Sequence, residues 1–221
     1  FRYLDAGSYH SCGIATDEQL YCWGYNGDGQ LGLAPGDSAV VPTLVPDIRR
    51  YRTVSGGRYH TCALTLSGES QCWGEDRDGR LGRDGSAFPP LTFQSVQAGL
   101  VHTCGLTLSR EVWCWGYNGE CEWGTNCVLR QFSDTANFVG NGYRALTIAG
   151  LHSCAIREGG AAACWGFNAE GQTGTGSGRR VDSVPTAVFG GITFNTDPLV
   201  VPPLPDPDFP LPQGPFVAAG Y

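Results

Sequence analysis

Four times along the chain an apolar stretch closes on small residues: Leu4-Asp5-Ala6-Gly7, Val54-Ser55-Gly56-Gly57, Val96-Gln97-Ala98-Gly99 and Ile148-Ala149-Gly150. A run of alternating character follows, as in His60-Thr61-Cys62-Ala63-Leu64-Thr65-Leu66, then a turn such as Ser67-Gly68, then a run ending in Cys72-Trp73-Gly74. Period-two patterning bounded by turn residues predicts strands, and two strands across so short a turn predict a β-hairpin. The glycine closing each opening stretch is expected where backbone conformation or a close approach forbids a side chain.

The hairpin recurs strictly. His10-Ser11-Cys12 leads to Cys22-Trp23-Gly24, His60-Thr61-Cys62 to Cys72-Trp73-Gly74, His102-Thr103-Cys104 to Cys114-Trp115-Gly116, and His152-Ser153-Cys154 to Cys164-Trp165-Gly166; in all four the cysteines are ten residues apart. The histidines step by 50, 42 and 50 residues, the range of propeller blades and solenoid units. The pattern predicts an all-β fold, a β-propeller-like array of four disulfide-stapled repeats with a proline-rich extended C-terminal arm. Its parts are a repeat domain at 1–197, with repeats starting near residues 1, 51, 93 and 145, an arm at 198–215 and a terminal strand at 216–221.

The hairpin also explains the cysteine spacing. If the first turn centres near Asp17, residues whose numbers sum to 34 face one another, and Cys12 and Cys22 do. Opposed residues lie about 4.5–5.5 Å apart at Cα, within disulfide reach. One staple per repeat follows: Cys12 with Cys22, Cys62 with Cys72, Cys104 with Cys114, and Cys154 with Cys164. A loop this short gives each bridge about 3 kcal/mol at best in the chain-entropy account.

After the tryptophan come Tyr25-Asn26-Gly27-Asp28-Gly29-Gln30-Leu31-Gly32, Glu75-Asp76-Arg77-Asp78-Gly79-Arg80-Leu81-Gly82 and Phe167-Asn168-Ala169-Glu170-Gly171-Gln172-Thr173-Gly174. With the preceding Trp-Gly and the Ala-Gly-x-x-His openings, these resemble the regulator of chromosome condensation repeat family over residues 1 to about 190. The resemblance implies a β-propeller of four-stranded blades, usually seven. Nuclear members act in nucleotide exchange on a small GTPase, and secreted relatives include bacterial inhibitors of β-lactamase and plant receptor ectodomains. This chain departs from the family in having four repeats and a cysteine pair in each. Its third copy reads Glu120-Cys121-Glu122-Trp123-Gly124, and Cys121 is expected to pair with nearby Cys127 as a fifth local staple.

Val41-Pro42-Thr43 recurs as Val184-Pro185-Thr186 and is expected to begin an outer strand. Residues 198–215 hold eight prolines in eighteen positions, interleaved with Leu199, Val200, Val201, Leu204, Phe209 and Leu211. Such density favours extended polyproline II with a reach of roughly 55 Å. The apolar residues predict that the arm lies on a protein surface. Phe216-Val217-Ala218-Ala219-Gly220-Tyr221 matches the opening of a repeat, as Tyr3-Leu4-Asp5-Ala6-Gly7 does, and stops before a histidine. Self-association is therefore expected through Pro198, Leu199, Val200, Val201, Leu204, Phe209, Leu211, Phe216, Val217 and Tyr221.

Thirty-three glycines and fourteen prolines suit many short strands, and a net charge of −7 argues against a nucleic-acid groove. Ten cysteines, and no methionine to mark an initiator, lead us to expect a processed chain or fragment in an oxidising, extracellular compartment. No apolar run approaches the roughly 18 residues that span a bilayer, so membrane insertion is not expected. His10 and Cys12 share a strand face with Cys22 opposite, but structural zinc wants a fourth ligand. The histidines, repeated rather than singular, are expected to be buried and bonded to backbone. Gly27, Gly29 and Gly32 match a dinucleotide fingerprint with no helix pattern after it. Calcium is the alternative reading of Asn26 with Asp28, Asp76 with Asp78, Asn118 with Glu120 and Asn168 with Glu170, which turn formation explains more simply. No other cofactor is expected.

The tryptophans after the second cysteines are expected between blades, while Trp113 and Trp123 break the pattern and are candidates for a binding face. No nucleophile elbow, metalloprotease helix or phosphate loop occurs, so no enzyme is expected. The expected function is a non-enzymatic extracellular structural protein, a fibre or surface-layer subunit joined to copies of itself by the arm and terminal strand. The alternative is a monomeric secreted binding module, inhibitor or lectin-like, for another extracellular protein or a glycan.

Overall fold

The computed structural model describes residues 1–82, 91–128 and 131–194. Within them the alternating runs form fifteen strands in four antiparallel sheets, one blade per repeat, and no α-helix. Blade 1 comprises β1 (Tyr3–Ala6), β2 (His10–Ile14), β3 (Leu20–Gly24) and β4 (Ala39–Leu44), adjacent in chain order. Blade 2 comprises β5 (Tyr51–Gly56), β6 (His60–Thr65) and β7 (Ser70–Gly74), three strands among the described residues. Blade 3 holds β8 (Phe93–Ala98), β9 (His102–Thr107), β10 (Val112–Tyr117) and β11 (Phe132–Gly140). Blade 4 holds β12 (Tyr143–Ile148), β13 (His152–Arg157), β14 (Ala162–Phe167) and β15 (Val181–Ala187). Pro42 and Pro185 lie in the outer strands β4 and β15, where a missing N–H is least disruptive. The arm at 198–215 and the strand at 216–221, with all ten self-association residues assigned to them, lie outside the described residues.

The cysteines of each hairpin face one another directly, Cys12 against Cys22, Cys62 against Cys72, Cys104 against Cys114 and Cys154 against Cys164. One residue later the ladder to the outer strand slips, between Cys22 and Gly24, Cys114 and Gly116, and Cys164 and Gly166. The slip is a β-bulge at the tryptophan. The following glycine takes φ of 109°, 110°, 95° and 100° in the four blades. A Cβ there would come within 2.4–2.8 Å of the carbonyl oxygen of the residue before the histidine. Any other residue would be both strained and in collision, which is the physical reason for the Trp-Gly pair.

The core lies between blades rather than within them. Cys12, Ile14, Leu20, Cys22, Leu31 and Val45 of blade 1 pack on Tyr51, Val54 and Ala63 of blade 2. Cys62 and Leu64 meet Phe93, Val96, Ala98 and Trp115 at the next junction. At the third, Cys104, Leu106, Val112, Cys114 and Trp123 meet Tyr143, Leu146, Ala155 and Trp165. The inner strands carry this packing, β1 and β2 on β5, β5 and β6 on β8, and β8 and β9 on β12. Among the described residues no comparable packing joins blade 4 to blade 1, and the propeller is not closed.

Candidate functional site

Each junction is tied by one relay, built from residues at fixed places in the hairpin. His10 Nε2 lies 2.6 Å from Thr61 Oγ1, His60 Nε2 2.9 Å from Thr103 Oγ1, and His102 Nε2 3.1 Å from Ser153 Oγ. Each of these hydroxyls follows the next blade's histidine. Each donates to a turn carbonyl of the preceding blade: Thr61 to Gln30 O at 2.7 Å, Thr103 to Arg80 O at 2.8 Å, Ser153 to Glu122 O at 3.2 Å. The next blade's indole N–H donates to the same carbonyls, Trp73 at 3.0 Å, Trp115 at 3.0 Å and Trp165 at 2.8 Å.

A hydroxyl has one proton, and the carbonyl takes it, so the histidine must be the donor at Nε2. Nδ1 then carries the lone pair, and the buried Nδ1 atoms of His10, His60 and His102 indeed have no partner. Burial lowers His10 to a pKa of about 4 and His102 to about 3. Burial, and then the positive charge of Arg80, holds His60 well below the usual histidine value. His10, His60 and His102, expected to bond backbone, bond side-chain hydroxyls instead, because the nearby turn carbonyls already accept from those hydroxyls and from the indoles; His152, half-buried, makes no such bond among the described residues. In this state the first three are neutral structural donors. The clue was present in sequence, since Ser11, Thr61, Thr103 and Ser153 each follow a histidine.

The small-residue openings differ from the expected alignment in one repeat. Gly7, Gly57 and Gly99 each donate N–H to the carbonyl of the histidine three residues on, and in blade 4 Ala149 does so. Ala149, not Gly150, therefore occupies the glycine position, because the register counts back from the histidine. A Cβ on Gly7, Gly57 or Gly99 would lie 2.4, 2.4 or 2.8 Å from the next blade's backbone oxygen, whereas one on Gly150 would meet open space.

The loops before the histidines also contribute to an exposed aromatic cluster, with Tyr25 joining from the end of β3. Tyr9 stacks on Tyr59 at 5.4 Å between centroids, and Tyr25 stands edge-on to both at 6.4 Å. The Arg58 guanidinium lies 4.9 Å over Tyr59 and 5.9 Å over Tyr9. Tyr9 and Tyr25 are 51% and 44% exposed. Arg58 also lines an axial cavity of about 340 Å³ walled by Gly7, Gly57, Gly99 and Gly150. Neither cluster nor cavity was singled out from sequence, although the repeated Tyr-His pair at Tyr9 and Tyr59 points to it.

The ten cysteines form five disulfides, with Cα separations of 4.1 Å in the four hairpins and 4.8 Å between Cys121 and Cys127. Among the described residues no group of three or more His, Cys, Asp or Glu converges as a metal site would. Four of the eight turn residues weighed for calcium place an oxygen in the turn: Oδ1 of Asn26, Asp76, Asn118 and Asn168 accepts from the N–H five residues on, at 3.0–3.2 Å. Asp78 pairs with Arg80 and Glu120 with Arg180. Trp123 is fully buried at the third junction and lines no face. Trp113 is partly buried against Phe138, its indole donating to Glu111.

Comparison with known proteins places this geometry. A family model described as the regulator of chromosome condensation (RCC1) repeat matches residues 17–64, and a second of the same description matches 1–30, 51–80 and 93–120. No curated protein matches the chain in sequence. Among solved structures, human WBSCR16 is similar with TM-score 0.74 and 19% identity, over 84% of this chain and 52% of that one. Yeast RCC1 (Prp20), solved bound to Kap60, gives TM-score 0.74 and 21% identity over 85% and 48%. The ectodomain of the Arabidopsis thaliana receptor kinase ACR4 gives 0.50 and 20% over 84% and 51%. The chain thus spans about half the length of the structures it matches.

Proposed function

The chain belongs to the regulator of chromosome condensation repeat family, and from that premise we propose that it is a non-enzymatic extracellular structural protein that associates with copies of itself. Its place is that of a fibre or surface-layer subunit. The observation that carries this reading is the apolar outer edge of blade 1, where Val40, Val41 and Leu44 of β4 are 92%, 62% and 45% exposed. Contiguous exposed apolar side chains mark interaction surfaces. Five intramolecular disulfides suit an oxidising compartment. In this reading the apolar arm, with Leu199, Val200, Val201, Leu204, Phe209 and Leu211, and the terminal strand, with Phe216, Val217 and Tyr221, reach a neighbouring copy. Strand addition there supplies backbone hydrogen bonds at an open edge.

Sedimentation velocity and negative-stain imaging of the full chain test the proposal. Species that grow with concentration are expected, and a chain that stays monomeric throughout refutes it. A second reading, a monomeric binding module, is favoured by the exposed Tyr9, Tyr25, Tyr59 and Arg58 cluster, since tyrosine and arginine dominate binding hot spots.

A further inference from the structure

The cluster of Tyr9, Tyr25 and Tyr59 is not demanded by the fold. Tyr9 and Tyr59 precede the histidines of blades 1 and 2, and the same place holds Val101 and Leu151 in blades 3 and 4, whose junctions carry the same relay. Gly27 leaves room for the Tyr25 ring, since a Cβ there would come 2.1 Å from its hydroxyl. Arg58, held over two of the rings, pairs with no carboxylate among the described residues. Aromatic faces beside an unpaired guanidinium suit a proline-rich strand that carries acids, because such strands dock preformed on aromatic-lined surfaces. Antiparallel strands send their connections alternately to two faces of the blade, and the cluster lies with the loops that follow the first and third strands. The chain leaves blade 4 on the other face: Thr193 pairs with Ala161 and the Phe194 N–H donates to Gly160 O at 2.8 Å, both at the turn between β13 and β14. The six residues of β13 set the two faces roughly 20 Å apart.

We propose that residues 202–208 of one copy dock on the platform of Tyr9, Tyr25, Tyr59 and Arg58 of a second copy. In polyproline II, at three residues per turn, Pro202, Pro205 and Asp208 share one ridge, so that the two prolines stack on the tyrosines while Asp208, with Asp206 beside it, pairs with Arg58. Leaving from the far face directs the segment away from its own platform and toward that of a copy stacked against that face. The contact is therefore heterologous and repeats head to tail. This rests on the self-association reading and gives the arm its docking site on the neighbour.

Sedimentation equilibrium of full chains tests the docking, comparing wild type, Arg58→Glu, Asp206→Arg combined with Asp208→Arg, and an equimolar mixture of the two variants. Each variant alone is expected to associate roughly tenfold more weakly at low salt, because like charges then meet at the contact. The mixture is expected to recover near wild-type affinity, since each arm then finds the opposite charge on the other copy. Arg58 holds no ion pair within the fold, so the melting temperature of Arg58→Glu should barely move, and recovery in the mixture requires folded chains. Association that neither variant weakens, or a weakening that mixing does not reverse, overturns the docking while the self-association reading survives. A wild-type chain that is monomeric at every concentration overturns both.

Discussion

Glu122 stands where Gln30 and Gln172 stand in other repeats. Its Oε2 accepts from the Glu120 N–H at 2.9 Å, as the glutamine oxygens do in their own turns, but its Oε1 is buried without a partner. Burial raises its pKa from 4.5 to about 7. The folded chain thus keeps a proton that the unfolded chain releases. This group's contribution is present below about pH 4.5 and is lost as pH rises through about 7. Glu122→Gln keeps the turn acceptor and removes the charge. Denaturant unfolding should show it stabilised by roughly 1–3 kcal/mol at pH 8 and nearly neutral at pH 4.

At the scale of the element, the hairpin and its register were legible because cysteines equidistant from a turn must face each other. The same arithmetic could not identify partners on another blade. Thr61 donates to a carbonyl 31 residues back and Thr103 to one 23 back, a difference set by the length of the connecting turns rather than by local pattern. Gly150 shows a related limit: the small-residue pattern aligns it with Gly7, Gly57 and Gly99, while the ladder, counted back from His152, puts Ala149 at that place. The aromatic that opens each blade, whose ring lies 5.9–6.4 Å from its own tryptophan, is likewise not legible, since a lone Phe or Tyr at a strand start carries no pattern in sequence. The stapled hairpin makes its own prediction. Cys104→Ala with Cys114→Ala should lower stability by roughly 2–3 kcal/mol, and non-reducing peptide maps of the wild type should contain links only within repeats.

For the molecule as a whole, three near-identical junctions mean that one chemical change acts on all of them. In repeat arrays stability is close to a sum of unit and nearest-neighbour terms. His10, His60 and His102 each hold one neighbour in place through a neutral imidazole. Their folded pKa values lie below the ordinary 6.5, at about 4 for His10 and about 3 for His102, so the unfolded chain takes up protons first. The stability they contribute is complete above about pH 6.5 and is lost as pH falls through about 4. Thermal melts should therefore drop steadily from pH 7 to pH 4. A midpoint that is flat across that interval would show that the relay does not hold the blades.

The local reach of the disulfides has a mechanical consequence. Each of the five closes a loop of six or ten residues inside one repeat, and none ties a blade to its neighbour. Pulled from its two ends, the chain should part at its joints while every hairpin stays locked, each withholding roughly 30 Å of contour length until its bridge is reduced. It is built as short stiff links on compliant hinges, and its extensibility under load is governed by the redox state of its surroundings.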